Sequence, residues 1–330
     1  MFIRKNTKKI MTNSNQGRVY SIENLRGIAS IMVMLCHIGM LNCYIDLSIT
    51  KYFQLGVQLF FAISGFVIPY SMYINNYEIK NFKNFLFRRL CRIEPPYLIT
   101  IVIYLIIQYF SRENINWIGV VLHIGYLIPF FKNYGWISHI YWTLAIEFQF
   151  YIFIALLYPI ITRNNKYLSM AICFGLLFLI KIQINGCKEL LFGYIHHFMV
   201  GIFVFLFFIK RLSNIEFIIG MILFFALGKY FMSYQNAIIS VLSGTSIIFL
   251  NRYNIIGNFF GKISYSLYIT HSIILQLLFR PLEQLFSPSH FVLNIIYLVL
   301  TTAFCILTAL VFWKFVELPF LKLSKKISYQ

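Results

Sequence analysis

The feature that most restricts this sequence is a series of long apolar stretches, almost free of charge, that recur along its whole length. A helix that crosses a lipid bilayer needs about 20 predominantly apolar residues, and about ten segments meet or nearly meet this requirement. They lie near residues 22–43, 54–74, 93–110, 141–162, 167–184, 190–209, 214–229, 235–250, 263–280 and 291–315. A shorter run, 117–131, is expected to form an interfacial or re-entrant helix. The pattern predicts an all-α, polytopic membrane bundle.

The composition excludes a soluble enzyme. Only 12% of the residues are charged and 60% are hydrophobic, whereas a soluble domain has roughly 25% charged and 45–50% apolar residues. So few charges leave too little polar surface to cover a water-soluble globule.

The net charge of +18 comes from basic residues that lie between the apolar runs. Nucleic acid binding is not indicated, because it requires one basic patch on a folded surface. With ten spans, one side of the membrane holds 20 of the 28 Lys and Arg residues and the other side holds 7. Basic residues collect in cytoplasmic loops. The count therefore predicts a multi-pass protein of the cell membrane with both termini in the cytoplasm.

We divide the chain into a basic cytoplasmic arm (1–20), a membrane domain (21–318) and a cytoplasmic tail (319–330). The six cysteines form no C-x-x-C pair and no metal-ligand spacing, so we expect neither a disulfide framework nor a metal site.

Ionisable residues inside a membrane are costly and often mark function. Arg26, His37, Glu147 and His271 are such residues. Arg26 and His37 are eleven residues apart, which places them on one helix face about 16 Å apart. Each of His37 and Glu147 lies six residues from the expected outer end of its span, so we expect them at one depth, with the carboxylate orienting the imidazole for proton transfer. The alternatives are a polar pair that fixes helix packing, and an Arg26 that snorkels to the headgroups.

Arg88, Arg89 and Arg92 cluster in the loop before the third span. Arginine offers a planar fork that suits phosphate, although a plain topology signal is the alternative interpretation. The adjacent pair Pro95 and Pro96 suggests a fixed helix start or a broken helix.

Two polar stretches are candidates for close helix contact or a cavity lining. Ser64 and Gly65 lie in the middle of the second span, where small residues usually mean close helix approach. The ninth span opens with a dense polar face that includes Tyr265 and ends at His271. This face could line a cavity, and His271 could equally be a packed histidine bonded to a neighbour.

Six motifs in order along the chain resemble the membrane acyltransferase family known as acyltransferase 3. They are Arg26-x10-His37, the stretch Phe60 to Phe66, Arg88-Arg89-x2-Arg92-Ile93-x-Pro95-x-Tyr97, Tyr141-Trp142-Thr143-Leu144-Ala145-Ile146-Glu147-x3-Tyr151, Gly261 to His271, and Glu317-Leu318-Pro319. Thr143 stands where the family usually has Ser, a change that keeps the hydroxyl group.

The resemblance implies about ten helices, an acyl-CoA donor, usually acetyl-CoA, and transfer to hydroxyl groups of glycans at or beyond the outer leaflet of a bacterial inner membrane. It implies that Arg26 and His37 are the critical pair, and it supplies the position of Glu147 without the residue that Glu147 contacts; we assign all three as catalytic. By its motifs we assign Arg88, Arg89, Arg92 and Tyr97 to the donor, and Ser64, Trp142, Tyr265 and His271 to the substrate or cavity lining. Some members carry an extracytoplasmic domain, which here is expected to be a separate partner.

The expected function is therefore an acyl-CoA-dependent O-acyltransferase acting on a glycan or lipid-linked sugar, in contact with membrane lipid. CoA phosphates held at the arginines would leave the thioester reaching toward His37, because the pantetheine arm is comparable in length to the rise between Arg26 and His37. A transporter or flippase for a lipid-linked sugar is the alternative. The sequence does not specify the glycan or the length of the acyl group. It also leaves open whether the acyl group is transferred directly or through an acyl-enzyme.

Overall fold

The computed structural model describes residues 20–41, 48–163, 165–182, 187, 189–250, 257–279 and 291–328. Most of the predicted cytoplasmic arm, residues 1–19, lies outside these residues. All regular secondary structure in the described ranges is helical, which confirms the predicted all-α class for that part of the chain.

Twelve α-helices are defined among the described residues. They are α1 Tyr20–Leu41, α2 Gly56–Ile74, α3 Phe82–Phe110, α4 Trp117–Ile124, α5 Tyr141–Ile161, α6 Lys166–Gly175, α7 Ile195–Phe208, α8 Asn214–Phe231, α9 Tyr234–Phe249, α10 Gly257–Ile274, α11 Phe291–Phe312 and α12 Leu318–Lys326. Short 3₁₀ segments precede or follow several of them, and π-helical turns follow α10 at Leu275–Phe279 and α11 at Trp313–Glu317.

Seven helical stretches in the described ranges are long and apolar enough to cross a bilayer. They are Ser21–Gly39, Tyr52–Ile74, Ile79–Phe110, Tyr141–Ile161, Leu191–Phe208, Asn214–Phe231 and Ile295–Lys326. This is the helix content of a multi-pass membrane protein. The expected total of about ten spans and the cytoplasmic position of both termini stay predictions. Residues 117–131, expected to form a short helix, contain α4 followed by a 3₁₀ turn.

Glycines lie at the two most extensive helix contacts in the described part of the chain. The most extensive contact is between α1 and α10, where Gly27 lies against Gly261 and a Cβ at Gly261 would collide with the backbone of Glu23. The contact between α2 and α7 is the next largest, and there Gly65 and Gly201 each lie against the backbone of the partner helix. Small residues at these points let helix backbones approach closely, as in other membrane bundles.

Helix α3 differs from the expectation at its start. It begins at Phe82 and runs without a break to Phe110, through both Pro95 and Pro96. Arg88, Arg89 and Arg92 therefore lie on the helix itself, and their predicted position in a loop is wrong. A hydropathy pattern ends a predicted span where charged residues begin, whereas the α-helix itself continues through these residues.

Candidate functional site

One cavity of about 850 Å³, including its open mouth, lies between α1, α2, α3, α5 and α10. We call it the arginine cavity. Its polar lining comprises Arg26, Ser64, Arg89, Arg92, Thr143, Glu147, Tyr151, Tyr265 and Tyr268. Charged and hydroxyl groups from five helices thus meet in one space, which no single helix could build.

The arginine cavity concentrates positive charge. Arg89 is only 9% exposed, and its guanidinium lies 5.9 Å from the ring centre of Tyr151. Arg92 is close enough to Arg26 and Arg89 for mutual electrostatic repulsion. Like charges brought together away from water are costly unless an anion offsets them. Within the described residues none of the three guanidinium groups forms a salt bridge, and Arg89 Nε has no hydrogen-bond partner.

The carboxylates of this region bind hydroxyl groups instead of arginines. Glu147 Oε1 accepts hydrogen bonds from Ser64 Oγ at 3.2 Å and from Tyr151 OH at 2.6 Å. Glu317 Oε2 accepts from the backbone N–H and the hydroxyl of Ser266, at 3.1 and 2.6 Å. Neither carboxylate forms a salt bridge with an arginine in the described part of the chain, so the arginine donors stay available to a ligand.

Glu317 is a site residue that sequence reasoning did not assign. It is 3% exposed and is the last residue of the π-helical turn between α11 and α12. It also lies within electrostatic range of Arg26 and Arg92. A π-turn adds one residue to a helical turn and often occurs at functional sites. The signal was present as the Glu317-Leu318-Pro319 motif, but sequence could not show which way the side chain points.

A second cavity, of about 690 Å³ including its mouth, lies further along α1. We call it the histidine cavity. Its polar and aromatic lining comprises Cys36, His37, Gln54, Gln58, His139, Trp142, Tyr194 and Tyr268. Val57 and Tyr268 line both cavities. They stand between the arginine and histidine cavities, and the hydroxyl of Tyr268 is held 2.7 Å from that of Thr143.

His37 is paired with a second histidine. The ring centres of His37 and His271 are 5.1 Å apart, and His271 Nε2 lies 3.3 Å from His37 Nδ1. Each ring also places Nδ1 next to a helix carbonyl, Val33 O at 2.9 Å for His37 and Leu267 O at 3.0 Å for His271.

These contacts assign the hydrogens of the neutral pair. A carbonyl oxygen only accepts, so both Nδ1 atoms carry hydrogen and donate to the carbonyls. The lone pair of His271 Nε2 then accepts a second, bifurcated hydrogen bond from His37 Nδ1–H. His37 Nε2 is left with a lone pair of its own, in a side chain that lines the cavity. The arrangement presents a neutral, oriented base.

The structure does not bring Glu147 and His37 together. Glu147 lies in the arginine cavity, whereas the histidine cavity reaches α5 only at its first turn, near Trp142. The physical reason is the start of α5. Its first residue, Tyr141, is fully buried, so α5 begins inside the protein and not at an outer surface, as the expectation of equal depth required. His37 lies four residues before the last residue of α1, whereas Glu147 lies six residues after the first residue of α5.

Two of the residues assigned to the donor do not line the arginine cavity. Arg88 is half-buried on α3 and does not face that space. Tyr97 is fully buried, stacks on Tyr126, and donates its hydroxyl hydrogen to His123 O at 3.2 Å. Its ring also packs edge-on against Tyr141, so Tyr97 is held by contacts within the protein.

The other assigned residues do line a cavity or contact a residue that does. Ser64 and Tyr265 line the arginine cavity, and Trp142 lines the histidine cavity. His271 is the partner of His37. In the described part of the chain no group of three His, Cys, Asp or Glu side chains is arranged to hold a metal ion.

Comparison with known proteins adds a family. The profile of the acyltransferase 3 family, described as an acyltransferase domain, matches residues 19–313. A protein of Acidianus two-tailed virus, provisionally named as an acetyltransferase, is 27% identical over 177 residues, which is 53% of this chain and 51% of the relative. A protein of Staphylococcus aureus (strain COL), provisionally named as an O-acetyltransferase, is 26% identical over 91% of this chain and 57% of its own length. The chain thus spans little more than half the length of these relatives. No solved structure matches it.

Proposed function

The chain belongs to the acyltransferase 3 family, because the family profile covers most of its length, and we propose that it transfers an acetyl group from acetyl-CoA to a hydroxyl group of a glycan at the cell membrane. Coenzyme A is a polyanion with a reactive thioester at the far end of a slender arm. The glycan supplies the nucleophilic hydroxyl. The two cavities correspond to these two substrates.

The observation that carries the proposal is the crowding of Arg26, Arg89 and Arg92 around one cavity without a carboxylate in salt-bridge contact. Such a group of guanidiniums is stabilised when it binds phosphate, since each presents several N–H donors in a planar fork. We assign the phosphates of acetyl-CoA to these three residues. The hydroxyl of Tyr265 bonds to Ile93 O at 2.8 Å and fixes the α10 wall of the same cavity against α3.

The distance between the cavities suits the length of the donor. Arg26 and His37 are on one helix and differ by eleven residues, a rise of about 16 Å. An extended pantetheine arm with its phosphates at Arg26 spans a similar distance. Val57 and Tyr268 border both cavities, so the acyl end of the donor must pass between these two side chains to meet His37.

His37 supplies the base. Its Nε2 takes the proton of the acceptor hydroxyl as the hydroxyl oxygen bonds to the thioester carbon. The carbon–sulfur bond breaks, and the proton passes from His37 to the departing sulfur, so the products are an acetylated glycan and free coenzyme A. Nδ1–H stays bonded to Val33 O and His271 throughout. Attack by His37 itself on the thioester is the second route to the same products.

The test measures release of free thiol from acetyl-CoA and gain of ester on a de-esterified surface polysaccharide, using membranes that contain the full chain. We expect His37→Ala to lower transfer by at least about 100-fold, the lower range for a general base, with the protein level unchanged. Succinyl-CoA and longer acyl-CoAs in the same assay define the acyl group. Near-normal transfer by His37→Ala would refute the role of His37, and no thiol release by the wild type would favour a transporter.

Arginine substitutions test the donor site, and α3 provides a matched control. We expect Arg89→Gln with Arg92→Gln to raise the KM for acetyl-CoA at least about tenfold, with a smaller change in kcat. Lysine at both positions should restore only part of the affinity, because the fork is lost. Arg88→Gln removes one positive charge from the same helix outside the cavity and should leave the KM nearly unchanged, whereas Arg89→Gln and Arg92→Gln should each raise the KM when made singly. An equal effect from Arg88→Gln would mean that the cavity does not hold the phosphates.

A further inference from the structure

A third cavity, separate from the two described above, lies at the end of α3 furthest from the arginines. It encloses about 540 Å³ including its mouth, which is within the usual range for small-ligand sites. We call it the amide pocket. Its lining comprises Gln108, Asn114, Asn116, Gly119, Val120, His123, Tyr134, Gly135, Trp136 and Ile137. Three side-chain amides and two large aromatic rings face one space.

The amide pocket is polar but carries no charged lining residue. His123, its one titratable imidazole, is fully used: Nδ1 donates to Gly119 O at 2.7 Å and Nε2 accepts from Ile137 N–H at 3.0 Å. Burial lowers the pKa of His123, which keeps the ring neutral. No Lys or Arg lines the pocket, so a phosphate or a carboxylate would find no counter-charge there.

The amides are available to a ligand. Asn116 Oδ1 accepts from Gly119 N–H at 3.1 Å and caps α4. This leaves its NH₂ group free to donate. The side-chain amides of Gln108 and Asn114 make no hydrogen bond within the described part of the chain. An amide both donates and accepts, as a sugar hydroxyl does. The faces of Trp136 and Tyr134 offer flat apolar surface for the C–H side of a sugar ring.

The amide pocket is tied to the histidine cavity by one short segment. Residues 134–137 line the amide pocket, whereas His139 lines the histidine cavity. Two residues of extended chain span at most about 7 Å. Ile137 of the amide pocket and His139 of the histidine cavity are therefore no further apart than this along the backbone. Between them, the hydroxyl of Ser138 lies 3.1 Å from that of Tyr104 and 3.2 Å from that of Ser272, the neighbour of His271. The segment is therefore fixed relative to the proposed base.

From this geometry we infer that the amide pocket binds a neutral carbohydrate unit of the acceptor, next to the unit that receives the acyl group at His37. The inference rests on the proposed function, because it adds a second subsite for the same glycan. The acceptor is then an uncharged oligosaccharide or polysaccharide that is longer than one sugar. Its binding to the amide pocket does not require acyl transfer.

The experiment measures binding of the de-esterified surface polysaccharide, labelled with a fluorophore, to the full chain purified in detergent. The pocket variant is Gln108→Ala with Asn114→Ala. The matched control is Asn133→Ala with Gln235→Ala, which removes one Asn and one Gln that are exposed and line none of the three cavities. We expect the pocket variant to weaken binding about tenfold, the effect of losing two hydrogen bonds. The control should change binding less than about twofold.

The outcomes separate this inference from the proposed function. His37→Ala should bind the labelled polysaccharide as well as the wild type does, although it loses transfer. Thermal unfolding in detergent should be the same for the pocket variant and the wild type, which verifies the fold of the variant. Equal affinity of pocket and control variants, or no binding by the wild type, overturns the amide pocket as a subsite and leaves His37-dependent transfer to be judged by its own assay.

Discussion

The histidine pair explains how one side chain can be a base at a buried position. Burial disfavours the charged form of an imidazole, so a base in this place needs a partner for the charge it gains. His271 Nε2 accepts from His37 Nδ1–H, and Val33 O accepts from the same hydrogen. Two acceptors on one N–H both fix the tautomer and stabilise the imidazolium that forms during transfer.

We predict that His271→Phe lowers kcat about tenfold with little change in either KM, because the ring volume is kept but the acceptor of the His37 Nδ1–H is lost. His271→Gln, which can still accept, should recover part of the rate. Steady-state kinetics per folded molecule measure both. His196→Phe is the matched control, since it makes the same substitution at a buried histidine that bonds to Ser240 and Phe224 O and lines neither cavity. Equal kcat in His271→Phe and wild type would make His271 a packing residue.

Glu147 has a different expected role from the one that its sequence position suggested. It accepts from Ser64 and Tyr151 in the arginine cavity, where its charge opposes the binding of an anionic donor. We predict that Glu147→Gln lowers the KM for acetyl-CoA about twofold to fivefold by removing this repulsion. The kcat should stay within about twofold of the wild type. Glu78→Gln, at an exposed carboxylate paired with Lys80, should change neither quantity. A large fall in kcat instead would return Glu147 to the proton-transfer site.

Among the helices, the crossing of α2 and α7 determines how the wall of the arginine cavity is placed. Gly65 follows Ser64 of that wall and lies against the backbone of Phe198, and Gly201 lies against the backbone of Ala62. Residues Ile195 to Leu206 of α7 are all buried. A helix that is apolar on every side belongs in the centre of a bundle, and a neighbour can approach it closely only where both helices have small residues.

We predict that Gly65→Ala destabilises the protein by about 1–3 kcal/mol, because the added methyl group collides with backbone that cannot move independently. Gly175→Ala is the matched control: a Cβ at Gly175, the last residue of α6, meets no atom within 4 Å. It should be neutral or slightly stabilising. Thermal unfolding in detergent measures both. Equal stability of the two variants would mean that α2 and α7 are not packed this closely.

The π-turn at Trp313–Glu317 is a local feature of the helix that directs a side chain towards the protein interior. The turn joins α11 to α12 in one continuous helical stretch. Its last residue, Glu317, accepts hydrogen bonds from Ser266 of α10 and lies within electrostatic range of Arg26 and Arg92. The extra residue rotates the remainder of the helix relative to α11, and this rotation explains why an apolar helix can place one carboxylate against its neighbours.

The whole molecule contains three cavities. The arginine and histidine cavities lie at different positions along α1, and the amide pocket lies next to the histidine cavity. If the arginine end faces the cytoplasm, acetyl-CoA reaches its site from the side on which it is made, and the glycan meets His37 from the other side. The proposed reaction thus depends on the orientation of the chain in the membrane, which the distribution of basic residues predicts.

We predict that reporter fusions at residue 1 and after residue 330 both report from the cytoplasm. The basis is that 20 of the 28 Lys and Arg residues lie on the side that holds both termini, as is typical of the cytoplasmic side of a membrane protein. A fusion in the loop at residues 132–135, near the amide pocket, should report from the outside. A cytoplasmic signal from that loop, or an external one from the C-terminus, would mean that the spans have been counted wrongly.

The sequence alone determined the helical class, the membrane character and the identity of the arginines and of His37 as candidate site residues. Each of these follows from local properties: long apolar runs exclude soluble folds, and an ionisable side chain within such a run is costly wherever the helix packs. Residue types and spacing along one helix carry this information without any contact between helices.

Only the tertiary structure decided which of those residues meet. His37 pairs with His271 on α10, Glu147 joins the arginines, and Tyr97 and Arg88 lie outside the cavity, because helix starts, continuity and rotation set the level of each side chain. The buried start of α5 and the unbroken course of α3 through two prolines changed the expected levels. Such features arise from packing between helices distant in sequence, and hydropathy along the chain does not contain them.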